Sequence, residues 1–411
     1  MPLTETTPTS SISEEPDIAT VISDPGEFQS GKVATISAGH GVHDTYTAFL
    51  APLLPVLIEK FSLTLTQAGA LTLFLTAPSL LQPVIGYMAD KFTMRYFVII
   101  APGITGSMLS LLGIAPSYAS LALFLLIAGM SSAGLHAVGP VMAGRVSGAR
   151  LGRGMGYWMV AGELGRTIGP ILIVTAIGFL TLERLPILMV GGWLTSLVLY
   201  IKLREIPGRD PNAKLGLPIR QALRGMRSFM IPLAGILVSR AFMNASLTTY
   251  LPTYLHSEGV ELWFAGAALT ILEAAGVVGV FFGGSISDRV GRRVILLMSM
   301  VVTPILAIIF LYASGLSRVV ILPMLGFFAL STTPVMMAWV QESYPENRAL
   351  ANGIFMSMAF IIRAVFVVIL GRVGDIYGLG LGILISAIIM AAGIPLVFLL
   401  PKESVRPRNV M

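Results

Sequence analysis

The chain contains no cysteine, only four histidines and only 12% charged residues. Without thiols there is no disulfide, no thiolate metal site and no cysteine nucleophile. So small a charged fraction does not suit a water-soluble domain, in which about a quarter of residues carry charge. The sequence also lacks a G-x-x-x-x-G-K-(S/T) loop, and with it the usual phosphate cradle of an ATP-driven machine. What fills the chain instead is apolar length. Of 411 residues, 55% are hydrophobic, and the mean hydropathy is +0.84. Apolar stretches long enough to cross a bilayer recur at about 33–58, 66–89, 95–115, 118–146, 153–180, 185–203, 229–255, 262–286, 293–314, 318–341, 350–374 and 379–400. The predicted fold class is therefore all-α integral membrane, with about twelve transmembrane helices in two pseudo-symmetric six-helix halves. The 43 glycines suit helices that pack closely in lipid and bend.

Charge placement sets the organisation. By count about 20 of the 27 lysines and arginines lie in alternate loops and tails, about four in the opposite loops and three within spans. This is the positive-inside pattern, so the net charge of +6 speaks for topology rather than nucleic acid. Residues 1–31, rich in Ser, Thr, Glu and Pro and without a signal-peptide core, read as a disordered cytosolic tail. Residues 32–203 form an N-terminal six-helix half, 204–228 a basic cytosolic loop, 229–401 a C-terminal half and 402–411 a cytosolic tail. Both termini are then cytosolic in a multi-pass protein of the cytoplasmic (inner) membrane, whose architecture needs one chain only.

The halves repeat one another. At an offset of 200, His40 corresponds to Arg240, Asp44 to Asn244 and Pro52 to Pro252; at 198, Gly86 corresponds to Gly284 and Asp90 to Asp288. Duplicated halves joined by a long basic loop imply a midplane cavity between them, opened to each side in turn.

Polar groups inside these spans are the candidate functional residues, because an ionisable group at membrane depth is costly unless it faces protein or a water-filled cavity. His40, His43, Asp44 and Thr47 share one face of the first helix at i, i+3, i+4 and i+7. His40 and Asp44 are the leading proton or substrate ligands, His43 a weaker one; the alternative is a satisfied pair that locks helices together. His136, in a run of small residues, is a cavity ligand or a packing histidine. Glu163 and Arg166, at i and i+3, either pair along their helix or divide the work, Arg166 binding an anion while Glu163 exchanges a proton. Arg363 lies 197 residues beyond Arg166, so the two arginines would face each other across the cavity, a geometry suited to a phosphonate, phosphate or carboxylate. Arg240 and Asn244 join the substrate set as counterparts of His40 and Asp44. Glu273, deep in its helix without a charged residue within one turn, joins the proton set. Metal chemistry at His40, His43, Asp44 and His136 is the competing class, but the spacing matches no established metal motif, and no metal or cofactor is expected.

Two loops carry a recognisable motif. Gly86-Tyr87-Met88-Ala89-Asp90-Lys91-Phe92-Thr93-Met94-Arg95 and Gly284-Ser285-Ile286-Ser287-Asp288-Arg289-Val290-Gly291-Arg292-Arg293 resemble the G-x-x-x-D-(R/K)-x-G-(R/K) loop of the major facilitator superfamily, with Thr93 replacing the second glycine of the first copy. Gly165-Arg166-Thr167-Ile168-Gly169-Pro170 resembles the G-x-x-x-G-P element of its antiporters. His40 with Asp44, Ser79-Leu80-Leu81-Gln82-Pro83, Leu135-His136 and Gly169-Pro170 resemble the fosmidomycin-resistance branch, whose members are drug exporters run on the proton gradient. This chain departs from that branch at Ala137, Val138 and Val141, which replace Pro, Glu and Arg, and at Glu163, which replaces an amide. The resemblance implies a transporter rather than an enzyme: a proton-coupled exporter of a small amphipathic or anionic compound, with protons and the solute as its only partners besides lipid. An uptake symporter for an organic anion such as a carboxylate is the second expectation.

Overall fold

The computed structural model describes residues 28–82, 84–85, 88, 94–147, 151–204, 219–344 and 348–401. Gly86 and Asp90 of the first loop motif, most of the N-terminal tail, most of the central loop and the C-terminal tail 402–411 lie outside the described residues. All regular structure among the described residues is helical. A helix satisfies its own backbone, which is what a lipid-facing segment requires.

The α-helices given by the described residues are, in order, α1 Ser30–Thr47, α2 Leu50–Phe61, α3 Leu65–Thr76, α4 Arg95–Ser110, α5 Tyr118–Val146, α6 Leu151–Leu180, α7 Met189–Leu203, α8 Ile219–Thr248, α9 Leu251–Ser257, α10 Leu262–Val290, α11 Arg292–Tyr312, α12 Leu316–Leu330, α13 Thr332–Ser343, α14 Arg348–Tyr377, α15 Leu379–Ala392 and α16 Ile394–Leu399. Among the described residues, ten helical segments are long and apolar enough to cross a membrane by length and composition. The sequence predicts about twelve. The second expected span appears as a shorter apolar helix over Leu65–Leu81, and the first is divided between α1 and α2.

The division has a local cause. Pro52 has no N–H to return to the Ala48 carbonyl four residues earlier, and its ring crowds that carbonyl, so α1 stops at Thr47 and the helix resumes at Leu50. Pro252 does the same to Thr248, where α8 stops before α9 resumes at Leu251. The turn between α10 and α11 is set by Gly291, whose φ of 101° is open to glycine and unfavourable for side-chain-bearing residues. Gly284, Asp288 and Arg289 of the second loop motif occupy the last turns of α10, and the Arg289 side chain is exposed.

The apolar core forms three clusters. One is built by buried residues of 226–400, among them Phe229, Met243, Tyr250, Phe310 and Phe355; the other two are built by buried residues of 33–203. The two stretches meet where α3 packs on α14, α6 on α10 and α2 on α9. The hydrogen bonds between described residues that join them gather at one end of the molecule. Asp375 at the end of α14 accepts from the Leu65 N–H (2.5 Å), the Thr66 N–H (2.9 Å) and the Thr66 hydroxyl (2.5 Å). The carboxylate thereby serves the positive N-terminus of α3. Tyr250 Oη donates to the Leu65 carbonyl at 2.9 Å, and Trp263 Nε1 donates to Thr175 Oγ1 at 3.1 Å. An open pocket of about 400 Å³ lined by Pro55, Ile58, Leu65, Thr253 and Leu379 sits at this end. At the other end Arg292 pairs with Glu342 at 2.9 Å and Arg293 donates to the Leu400 carbonyl at 2.7 Å, contacts that stay within residues 219–401.

Candidate functional site

The site is built on the polar face of α1, where the helix buries His40, His43 and Asp44. Their neighbours come from α5 and α6. His40 Nδ1 lies 2.9 Å from the Trp158 carbonyl, and its ring stacks on the Trp158 indole with centroids 3.8 Å apart at 12°. His40 Nε2 points inward, 3.3 Å from Asp44 Oδ2 and 3.3 Å from His136 Nε2. His136 Nδ1 lies 2.9 Å from the Ser132 carbonyl, one turn back on α5, and its Nε2 lies 3.6 Å from Asp44 Oδ1. Two imidazoles thus turn the same ring nitrogen toward one carboxylate. His43 Nε2 is 3.9 Å from Asp44 Oδ1, beyond hydrogen-bond distance, and both of its ring nitrogens are buried without a partner.

The carboxylate is paired across helices. Arg166 Nη1 of α6 donates to Asp44 Oδ2 at 2.8 Å, while its Nη2 pairs with Glu163. Arg166 therefore serves two carboxylates at once, one on its own helix and one on α1. This close approach of α6 to α1 depends on glycine. A Cβ at Gly162 would collide with the His40 ring, lying 2.8 Å from Nε2, and would sit 3.1 Å from Asp44 Oδ2. A Cβ at Gly165 would strike the Gly41 carbonyl, and one at Gly169 would come within 2.6 Å of the Ala48 Cβ. The Gly165, Gly169 and Pro170 element is thus the surface on which α1 rests.

The chain beyond residue 219 contributes two more charges. Glu273 of α10 and Arg363 of α14 are half-buried and are electrostatic neighbours of each other, of Arg166 and of Glu163. Arg363 Nη2 donates to Thr248 Oγ1 at 3.2 Å, and its Nε is buried without a partner. Arg240 is placed differently from its sequence counterpart His40. It is buried, with Nη1 3.0 Å from Ser299 Oγ and Nη2 2.7 Å from the Ala329 carbonyl, tying α8 to α11 and α12. These contacts make Arg240 an internal anchor between helices. Asn244, half-buried one turn later, accepts through its backbone carbonyl from Thr248 Oγ1 at 2.8 Å.

His40, Asp44 and His136 hold ligand atoms within 4.8 Å of one another, close enough to share a cation. The guanidinium already on Asp44 opposes a dication there, whereas a single proton suits the charge balance. Of the residues that build this site, neither Trp158 nor Gly162 is among the candidates that the sequence singles out. A glycine one turn before the G-x-x-x-G pair is the pattern that would have found Gly162.

Residues 36–364 match the Major Facilitator Superfamily, and the chain belongs to that family. It is 27% identical over 379 residues to the fosmidomycin resistance protein of Escherichia coli (strain K12), covering 90% of this chain and 92% of that one. It is 25% identical over 377 residues to the uncharacterized MFS-type transporter YfnC of Bacillus subtilis (strain 168), covering 89% and 91%. Among solved structures it resembles a bacterial homologue of the human lysosomal transporter Spinster in an inward-facing and occupied conformation, with a TM-score of 0.76, 16% identity and coverage of 92% and 97%. It also resembles the nucleoside transporter NupG, with a TM-score of 0.72, 16% identity and coverage of 89% and 98%. The chain is a multi-pass membrane transporter of the major facilitator fold, not an enzyme.

Proposed function

We propose that this member of the superfamily is a proton-coupled exporter of a small amphipathic or anionic compound, working by alternating access in the bacterial inner membrane with both termini cytosolic. The observation that carries this reading is the cluster in which buried His40 and Asp44 meet half-buried His136 and Arg166. Titratable groups removed from water and linked by charge to a second set across the molecule are what coupling requires. The name of the Escherichia coli relative, a resistance protein, supports export. The basic residues concentrated in alternate loops support the orientation.

The solute's acidic group meets Arg363. Arg166 is occupied by Asp44 and Glu163, whereas Arg363 offers an unpartnered Nε and one hydroxyl contact. Glu273 lies between the proton cluster and Arg363 in electrostatic terms, so a change of charge near Asp44 is felt at the solute through Arg166 and Glu273. Export requires differential affinity: the protonated and solute-bound forms must exclude each other, and the gradient then sets the direction. One chain suffices for this cycle, and no cofactor enters it.

Proteoliposomes test the reading. With phosphonates, carboxylates and cationic drugs offered in turn, an anionic solute should move against an imposed proton gradient, and dissipating the gradient should stop net flux. Co-directional movement of solute and protons would replace export by symport. Flux indifferent to the gradient would remove proton coupling altogether.

A further inference from the structure

We infer that the coupling proton resides on the imidazole pair His40 and His136, that Asp44 is its permanent counter-ion, and that His136 is the group through which the proton enters and leaves. This rests on the proton-coupled reading above and names the atoms that serve it.

The hydrogen bonds fix the tautomers. A carbonyl oxygen can only accept, so the 2.9 Å contacts to the Trp158 and Ser132 carbonyls require a hydrogen on Nδ1 of His40 and of His136. In the neutral rings both Nε2 atoms are then bare lone pairs. They face each other at 3.3 Å and face the Asp44 carboxylate at 3.3 and 3.6 Å. Three acceptors converge with no hydrogen among them, an arrangement that repels itself in a low-dielectric interior. One proton on either Nε2 turns that repulsion into a charge-assisted hydrogen bond.

Charge accounting asks for the same single proton. Asp44 and Glu163 carry two negative charges and Arg166 one positive, which leaves one negative charge uncompensated. Glu273 and Arg363, the electrostatic neighbours of this group on α10 and α14, are of opposite formal charge. His43, beyond bonding distance of Asp44, takes no part in the relay. Asp44 is the poorer proton acceptor of the set because Arg166 already occupies Oδ2.

Exposure gives the direction of travel. The His136 side chain is 26% exposed, against 5% for His40 and 3% for Asp44. The transfer breaks the N–H bond at His136 Nε2, whose electron pair stays on that nitrogen, and forms an N–H bond at His40 Nε2. Both Nδ1 hydrogens remain on their carbonyls, so neither ring turns over.

The test is nitrogen NMR of the full chain labelled with 15N-histidine in lipid nanodiscs, titrated across about pH 5–8. The expected spectrum shows both neutral rings as Nδ1–H tautomers, with one proton bound by the pair. In Asp44→Asn the pair should give up this proton at neutral pH. In His136→Gln the proton should still bind at His40, but its exchange with water and the gradient-driven flux should slow by about tenfold or more. An Nε2–H tautomer in either neutral ring overturns the proposal, as does wild-type proton exchange at His40 in His136→Gln. The wild-type tautomer spectrum stands even if a variant fails to fold. Flux that ignores a pH gradient would sink the coupling reading alone, whereas the tautomers judge the proton seat alone.

Discussion

Asp375 closes over Thr66, accepting hydrogen bonds from both its backbone N–H and its hydroxyl across 309 positions of sequence. With the Leu65 N–H it holds the start of α3 against the end of α14, and these are the densest polar contacts joining the two stretches of chain. The bonds are exposed to solvent, so each is worth little alone, and their effect is on a balance between states rather than on folding.

Asp375→Asn should therefore shift the balance several-fold toward forms open at this end. Spin labels introduced at the Leu63 and Tyr377 positions of the cysteine-free chain would report it as a longer distance by pulsed electron resonance. An unchanged distance distribution would show that apolar packing of α3 on α14 holds the end shut.

Gly162→Ala should lower thermal stability by about 1–3 kcal/mol, because the new methyl group meets the His40 ring with no free space beside it. The same change should depress flux strongly, since His40 and Asp44 must move to admit it. Thermal unfolding in detergent and a flux measurement on one preparation check both parts.

Arg166→Gln leaves Asp44 and Glu163 without their shared cation. Breaking a buried pair costs several kcal/mol, but the Arg166 side chain is 39% exposed, and solvent screening brings the expected loss to about 1–3 kcal/mol. Adding Glu163→Gln should recover part of that loss by removing one of the two orphaned carboxylates. A double-mutant cycle on thermal stability reads the coupling, and strictly additive losses would contradict it.

Arg240 and Arg363 should separate cleanly. Arg240→Ala removes a buried anchor and should cost about 2–4 kcal/mol of stability while leaving the apparent KM for the solute near wild type. Arg363→Gln should do the opposite, raising KM about tenfold or more with little loss of stability. Reversed outcomes would place Arg240 in the solute pathway.

Much of this was legible in the sequence, and the rest was not for identifiable reasons. The breaks before Pro52 and Pro252 fall inside stretches that read as continuous spans, 33–58 and 229–255, because apolar length carries no mark of where a helix pauses, although a missing N–H acts locally. The polar face of α1 follows from the spacing of His40, His43 and Asp44. Partners are another matter: His136 lies 96 residues from His40 and Arg166 lies 122 from Asp44, and no periodicity links residues on different helices. Offset arithmetic paired Arg240 with His40, yet equivalent positions in a repeat share a backbone and not a neighbourhood. Ser299 and the Ala329 carbonyl gave Arg240 internal partners that the repeat does not encode.

Because two apolar clusters are drawn from residues 33–203 and the third from 226–400, consolidation can proceed in two instalments during synthesis. The buried residues of the two earlier clusters are all in place before the ribosome has translated Met226, and the same stretch already contains His40, Asp44, His136 and Arg166. A truncated or co-expressed fragment ending in the central loop should therefore insert and resist proteolysis unaided, and defects in the later instalment should surface as degradation of that portion first.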